Sequence, residues 1–82
     1  ELNAERRKEL TKVVRKGAEE AKVAMRNTRR DAMEQFKKMK KDSQITEDDQ
    51  RKAEDELQKI TDAQIKDVDK IAGEKEKEIM SV

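Results

Sequence analysis

The chain has 82 residues, enough for one small domain, and half of them are charged. Cysteine and histidine are absent, which excludes disulfides, zinc sites built on thiolate or imidazole, and a nucleophile–base pair using either group. No apolar stretch approaches the roughly 20 residues of a membrane span and no signal peptide opens the chain, so we expect a soluble protein.

Long helices are the structure that this composition favours. Ala, Glu, Lys and Arg are abundant, while the β-branched and aromatic runs of a sheet are missing and proline is absent. The net charge of +1 hides a division, since residues 6–41 hold 14 Lys/Arg against 5 Asp/Glu and residues 42–82 hold 7 against 13. Either the basic half meets an anionic partner or the two halves attract each other, and composition alone leaves both open.

The first helix is predicted over about residues 3–42. Asn3 can cap its first turn, and apolar or small residues then recur at steps of three and four, which places them on one stripe. Between Gly17 and Thr28 this stripe has only small side chains, so we expect Gly17 to let a neighbouring helix approach closely. The stripe comprises Leu10, Val13/Val14, Gly17, Ala21, Ala24, Thr28, Ala32, Phe36 and Met39.

A turn is predicted over about residues 43–46 and a second helix over about 47–80. Thr46 is the expected N-cap of that helix. The acidic triplet Glu47-Asp48-Asp49 lacks the spacing and the glycine of a calcium loop, so we interpret it as complementing the helix dipole rather than as a metal site. The second stripe comprises Ala53, Leu57, Ile60, Gln64/Ile65, Val68, Ile71/Ala72 and Ile79.

Together these elements predict an all-α fold, a long antiparallel helical hairpin, because the connection is only a few residues long. Two helices cannot cover both apolar stripes as a three-helix bundle can. We therefore expect a third helix, from a missing part of the same polypeptide or from another chain. The chain also begins at Glu1 rather than Met, a further hint that something upstream is missing.

The most unusual local feature is the segment Arg26-Asn27-Thr28-Arg29-Arg30-Asp31. Closely spaced guanidiniums repel one another unless an anion neutralises them, and their donor pairs match phosphate oxygens. An RNA backbone is the natural counterpart, although an ordinary solvated face with Asp31 and Glu34 as local partners is the alternative. The predicted RNA-binding residues, on one side of the helix, are Lys22, Arg26, Arg29 and Arg30, while Ala21, Ala24 and Thr28 are expected to face the core.

Other candidates are weaker. The basic runs at residues 6–8 and 37–41 lie at opposite ends of the first helix and are typical of solvated surface. No nucleophile–base constellation is visible, and nothing marks a buried carboxylate pair, so we expect neither catalysis nor a cofactor or metal. Phe36 is the only aromatic residue and lies on the apolar stripe, so no aromatic surface is expected to stack on bases and any RNA contact is expected to use backbone and shape.

Five segments carry a resemblance to a known family: E-R-R-K-E-L-T-K at 5–12, V-A-M-R-N-T-R-R-D-A at 23–32, I-T-E-D-D at 45–49, Q-K-I-T-D at 58–62 and K-E-K-E-I-M at 75–80. They span essentially the whole chain, which resembles bacterial ribosome recycling factor. The resemblance implies that residues 1–82 are the second and third helices of a three-helix-bundle domain and that Val82 is the family's C-terminus. The first helix and an inserted β-rich domain are then absent.

The resemblance also implies a function. Such a factor is cytoplasmic and monomeric, binds large-subunit ribosomal RNA of the post-termination ribosome and, with elongation factor G and GTP, promotes subunit splitting. GTP hydrolysis belongs to elongation factor G, which is expected to meet mainly the absent domain. By position, Arg26, Arg29 and Arg30 match the family's RNA-contacting residues. Thr28 stands where many relatives have a larger aliphatic residue, a packing change that leaves the arginines in place.

One alternative comes from a different class of protein. The chain could be a coiled-coil module that pairs with itself or with a partner helix and does not bind RNA, its charges serving only solubility. A chain lacking its third helix could also self-associate for that reason alone.

Overall fold

Two helices and the turn between them make up the structure, a computed structural model that describes residues 3–81. Helix α1 spans Ala4–Lys41 and helix α2 spans Glu47–Ser81. Each end of the two helices lies within one residue of its predicted position. The predicted all-α hairpin is confirmed, and its Cα atoms extend over 61 × 15 × 10 Å. The interpretations placed on Glu1 and Val82 lie outside the described residues.

Helix α1 begins where a side chain can satisfy its first free amide. The Asn3 Oδ1 atom accepts a hydrogen bond of 2.8 Å from the Arg6 backbone N–H, and Asn3 itself has an extended backbone. This is the N-cap geometry that the sequence predicts. Lys38, Lys40 and Lys41 lie in the last turn, at the negative end of the helix dipole.

The turn reverses the chain through one left-handed residue. Ser43 has a φ of 61°, and the Gln44 N–H donates to the Met39 carbonyl at 2.8 Å, which closes the end of α1. Helix α2 then opens with a reciprocal cap: Asp49 N–H donates to Thr46 Oγ1 at 3.1 Å, and Thr46 N–H donates to Asp49 Oδ2 at 3.3 Å. This pair confirms Thr46 as the N-cap and gives Asp49 a structural role.

The two helices pack along one line of side chains, here called the seam. Only Thr61 is fully buried among residues 3–81, at 3% exposure, and its hydroxyl donates to the Leu57 carbonyl at 2.8 Å, so its polar group is satisfied. The other seam residues are half-buried, because a two-helix layer leaves their flanks open. They include Thr11, Val14, Ala18, Ala21, Met25, Ala32, Phe36, Leu57, Ile65, Val68 and Ala72.

One flank of the seam is an apolar channel, here called the open groove. It runs between the small α1 residues Gly17, Ala24 and Thr28 and, on α2, Ile60 and Ile71, which are 49% and 55% exposed. The expectation that Ala24 and Thr28 face a core is wrong for this hairpin, since both are exposed, while Ala21 is half-buried. Both stripes predicted from sequence therefore combine seam residues with residues of the groove.

The close approach expected at Gly17 is not made by α2, and it stays a prediction for a third helix. A Cβ atom built there would meet nothing within 4 Å, and the same holds at Gly73. Helix α2 therefore makes no close approach at Gly17, because this glycine faces the open groove rather than the seam. Neither described helix has the length of apolar sequence that crossing a membrane requires.

Candidate nucleic-acid interface

The predicted cations and the open groove lie on opposite flanks of the seam. At about 100° per residue, the four cations lie about 40–140° from half-buried Met25 in one direction around the α1 axis. The small residues Ala21, Thr28 and Ala24 lie about 40–100° in the other direction. We call the first flank the charged side. A helix packed into the open groove would leave Arg26 and Arg30 uncovered, whereas Arg29 borders both flanks.

Lys22 is held most firmly of the four. Its Nζ atom lies 2.9 Å from Glu19 Oε1, one turn back on α1, and 2.9 Å from Asp69 Oδ1 across the seam. Hydrogen bonds to Glu19 and Asp69 raise the pKa of the Lys22 ammonium above its ordinary value of 10.5. Its side chain is only 14% exposed. Two carboxylates thus neutralise Lys22, and an RNA phosphate would have to displace at least one of them.

Arg15 makes the same type of cross-seam bond two turns earlier on α1. Its Nε atom donates to Glu76 Oε1 at 2.8 Å, and this hydrogen bond is the main reason why the pKa of Arg15 is raised. Like Lys22, it ties the basic helix to the acidic one. The attraction between the two halves of the chain, one of the two readings of its charge division, therefore operates at these positions.

Arg29 is the third cation in this row, and its partner is neutral. Its Nη1 atom donates to Gln58 Oε1 at 3.4 Å, and the Gln58 Nε2 atom donates in turn to Asp62 Oδ1 at 2.9 Å. Arg29 is half-buried and also borders the open groove. The guanidinium is therefore oriented toward the charged side without being paired to a carboxylate.

Arg26 and Arg30 lie farther around α1, and both are exposed. Neither makes an ion pair within 4.0 Å in the part of the chain that the structure describes. The local partners considered for them do not reach them: Glu34 bonds to Lys37 at 3.5 Å, and Asp31 makes no ion pair among residues 3–81. Helix α1 is continuous through this segment, so both guanidiniums stand on a rigid support.

The two weaker basic runs are partly occupied. Arg6 bonds to Glu9 at 3.1 Å, and Arg7 donates to the Met80 carbonyl at 3.3 Å, which fastens the open end of the hairpin. At the other end, Lys37, Lys40, Lys41 and Gln50 border a shallow exposed depression. These contacts give the first run a structural role and leave the second as solvated surface.

The α2 partners of the charged side are not among the residues predicted from the sequence. A signal for them existed, because Arg15, Lys22 and Arg29 are seven residues apart, and so are Asp62, Asp69 and Glu76. In an antiparallel pair of helices such rows face each other at constant register. Reading the two rows together would have found Asp69 and Glu76 as partners, although it would not have found Gln58.

The fold and this surface define an elongated all-α protein, a helical rod with a cationic flank and an uncovered apolar one. The chain belongs to the ribosome recycling factor family, whose sequence profile matches residues 1–80.

Relatives in this family match the sequence of the chain over almost its whole length. It is 63% identical over 81 residues to the ribosome-recycling factor of Cupriavidus necator and 59% identical over 81 residues to that of Oleidesulfovibrio alaskensis, covering 99% of this chain and 44% of each relative. It is 56% identical over 82 residues to that of Caldicellulosiruptor bescii, covering 100% of this chain and 45% of the relative. The chain therefore spans less than half the length of the relatives it matches.

Proposed function

We propose that this chain is the RNA-docking rod of a translation factor that recycles ribosomes. It binds large-subunit ribosomal RNA of the post-termination ribosome, and the complete factor, with elongation factor G and GTP, promotes separation of the subunits. The chain itself is not an enzyme and needs no cofactor, since GTP hydrolysis belongs to elongation factor G. Membership of the family supports the role in translation, and the cytoplasm is where such a factor acts.

One observation carries the RNA-docking part of the proposal. Arg26 and Arg30 are exposed on an unbroken helix and have no carboxylate partner within the described residues, and Arg29 beside them has only a neutral one. Three uncompensated guanidiniums within five residues favour a polyanion, and their planar donor pairs fit phosphate oxygens. Lys22 takes a lesser part, because Glu19 and Asp69 already hold it.

The open groove supports the second part of the proposal, which concerns architecture. We assign residues 1–82 to two helices of a three-helix-bundle domain, with the remaining helix and a second domain in the rest of the polypeptide. The remaining helix packs in the groove and buries Ile60 and Ile71, and the second domain makes the main contact with elongation factor G. The complete protein is then a monomer with its charged side free.

Binding of the complete protein to bacterial large ribosomal subunits tests the proposal. Replacing Arg26, Arg29 and Arg30 together by alanine should weaken binding by at least tenfold, since a hydrogen bond to a charged group contributes about 1.5–3 kcal/mol. It should also make the salt dependence shallower by about two to three counterions.

The matched control removes three charges elsewhere. Lys52, Lys59 and Lys70 are exposed and lie on the face of α2 turned away from α1. Their triple alanine variant changes the net charge equally and should bind nearly as the wild type does. Equal binding by wild type and the arginine variant would refute the proposed RNA contact. Equal losses of binding in both triple variants would show that net charge, rather than a specific contact of these arginines, determines binding.

A second candidate function is self-association, and the exposure of the open groove favours it. Ile60 and Ile71 would be covered equally well by a helix of a second copy. This candidate requires helicity that rises with concentration and indifference to ribosomes, so sedimentation with and without ribosomal subunits separates it from RNA docking.

A further inference from the structure

The cross-seam row of cations contains a break in its own pattern. Arg15 bonds to Glu76 at 2.8 Å and Lys22 bonds to Asp69 at 2.9 Å. Each step of seven residues forward on α1 is matched by a step of seven residues back on α2. The next step pairs Arg29 with Asp62, yet no ion pair joins these two residues.

Gln58 stands between the two groups that the register would pair. It lies one turn before Asp62 on α2, and its amide accepts from Arg29 at 3.4 Å while donating to Asp62 at 2.9 Å. A guanidinium can only donate and a carboxylate can only accept, so the amide has one orientation that satisfies both, with its oxygen toward Arg29 and its nitrogen toward Asp62.

Gln58 therefore orients the Arg29 guanidinium without neutralising its charge, as a carboxylate partner would do. A bond of 3.4 Å to a neutral oxygen is long, and it uses one of the five N–H donors of the guanidinium. Lys22, by contrast, is bonded to two carboxylates. Along this row, Arg29 is the cation whose carboxylate has been taken up by another side chain.

We propose that Gln58 is a positioning residue that keeps Arg29 available to an RNA phosphate by standing between Arg29 and Asp62. This inference rests on the proposed RNA docking of Arg29. Without Gln58, Asp62 is free to complete the series begun by Glu76 and Asp69. The resulting ion pair competes with the phosphate for the guanidinium, so RNA must break it in order to bind.

The test measures binding of the complete protein to bacterial large ribosomal subunits over a range of salt concentrations. Gln58→Ala, which frees Asp62, should weaken binding about three- to fivefold, the worth of one exposed ion pair. Gln58→Glu sets a carboxylate directly against Arg29 and should weaken binding at least as much. Ala63→Glu adds the same charge on the exposed face of α2 turned away from α1 and should bind within about twofold of wild type.

Rescue distinguishes positioning from packing. Adding Asp62→Asn to Gln58→Ala removes the competing carboxylate, so the double variant should regain binding and the wild-type salt dependence. A Gln58 that served only to pack the seam would give no such recovery, because the second substitution restores no packing. Thermal melting of each variant verifies that the helices remain folded.

Arg29→Ala separates the RNA contact of Arg29 from the positioning role of Gln58. It should weaken binding about tenfold or more, and if it binds as wild type does, both the RNA contact of Arg29 and the role of Gln58 are overturned. If Arg29→Ala weakens binding while both Gln58 variants bind normally, or if Asp62→Asn fails to rescue, the positioning role alone is wrong and the proposed function stands.

Discussion

Lys22 of α1 and Asp69 of α2 are joined across the seam at 2.9 Å, and Glu19, one turn earlier on α1, lies 2.9 Å from the same ammonium. The Lys22 side chain is 14% exposed, whereas the other lysines that form ion pairs among residues 3–81 are at least 60% exposed. The pairs made by Lys37, Lys52 and Lys75 each lie within one helix, whereas the Lys22–Asp69 pair crosses the seam. The Lys22 cluster therefore contributes to the register of the two helices, which the pairs within one helix cannot do.

The pH dependence of stability follows from the Lys22 cluster. Because hydrogen bonds to Glu19 and Asp69 raise the pKa of Lys22 above 10.5, their stabilisation is complete below that pH and is lost as the pH rises through the raised value. Lys22→Gln should lower the melting temperature of the complete protein at pH 8, and the difference from wild type should shrink above pH 10.5.

Lys52→Gln is the control for that series, since Lys52 pairs with Asp48 on the open surface and is 76% exposed. It should change the melting temperature little at any pH. Equal effects of the two substitutions would contradict the role given to Lys22.

The turn offers a stabilising substitution. Ser43 adopts a φ of 61°, a left-handed conformation that costs an L-residue roughly 1–2 kcal/mol and costs glycine almost nothing. Ser43→Gly should therefore raise the free energy of unfolding by about 1 kcal/mol. Gln44→Gly, next to it at negative φ, should not stabilise the protein. Chemical denaturation of both variants checks the prediction, and a loss of stability in Ser43→Gly would refute it.

Local chemistry explains how much could be predicted from the sequence. The Asn3 and Thr46 caps depend on residues three positions away, so they were predictable along with both helices. The partner of Arg29 depends on how two helices align over 29 residues, which periodicity within one helix cannot fix. The spacing within one helix also could not assign Ala24 and Thr28 to the correct surface. Their three- and four-residue spacing fits the seam and the groove equally, and only the packing of α2 on α1 shows that both border the groove.

The open groove predicts how the isolated hairpin behaves. Because Ile60 and Ile71 are about half exposed on one flank, residues 1–82 alone should associate with increasing concentration. Replacing both by glutamine should shift the hairpin toward monomer. Val23→Gln, at a residue 50% exposed on the far side of α1, should leave the association unchanged.

Analytical ultracentrifugation at several concentrations measures this association. If a third helix covers the groove as proposed, the complete protein should remain monomeric throughout. Two results would contradict the prediction that the hairpin associates through the open groove. One is a monomeric wild-type hairpin, and the other is association that Val23→Gln abolishes but the Ile60 and Ile71 substitutions do not.

The two glycines test whether a helix packs in the open groove of the complete protein. Each lies inside a helix, where alanine is favoured by about 0.5–1 kcal/mol, and an added Cβ meets nothing within 4 Å at either site. Gly73→Ala should therefore stabilise the isolated hairpin and the complete protein alike. Gly17 borders the open groove, so Gly17→Ala should stabilise the isolated hairpin. In the complete protein, where another helix is proposed to pack against Gly17, the same substitution should give no gain in stability or should destabilise the fold.

Urea unfolding of both variants, in the isolated hairpin and in the complete protein, supplies the comparison. If Gly17→Ala stabilised the complete protein as much as Gly73→Ala does, no helix would approach closely at Gly17, and the proposed packing in the groove would be wrong at that point.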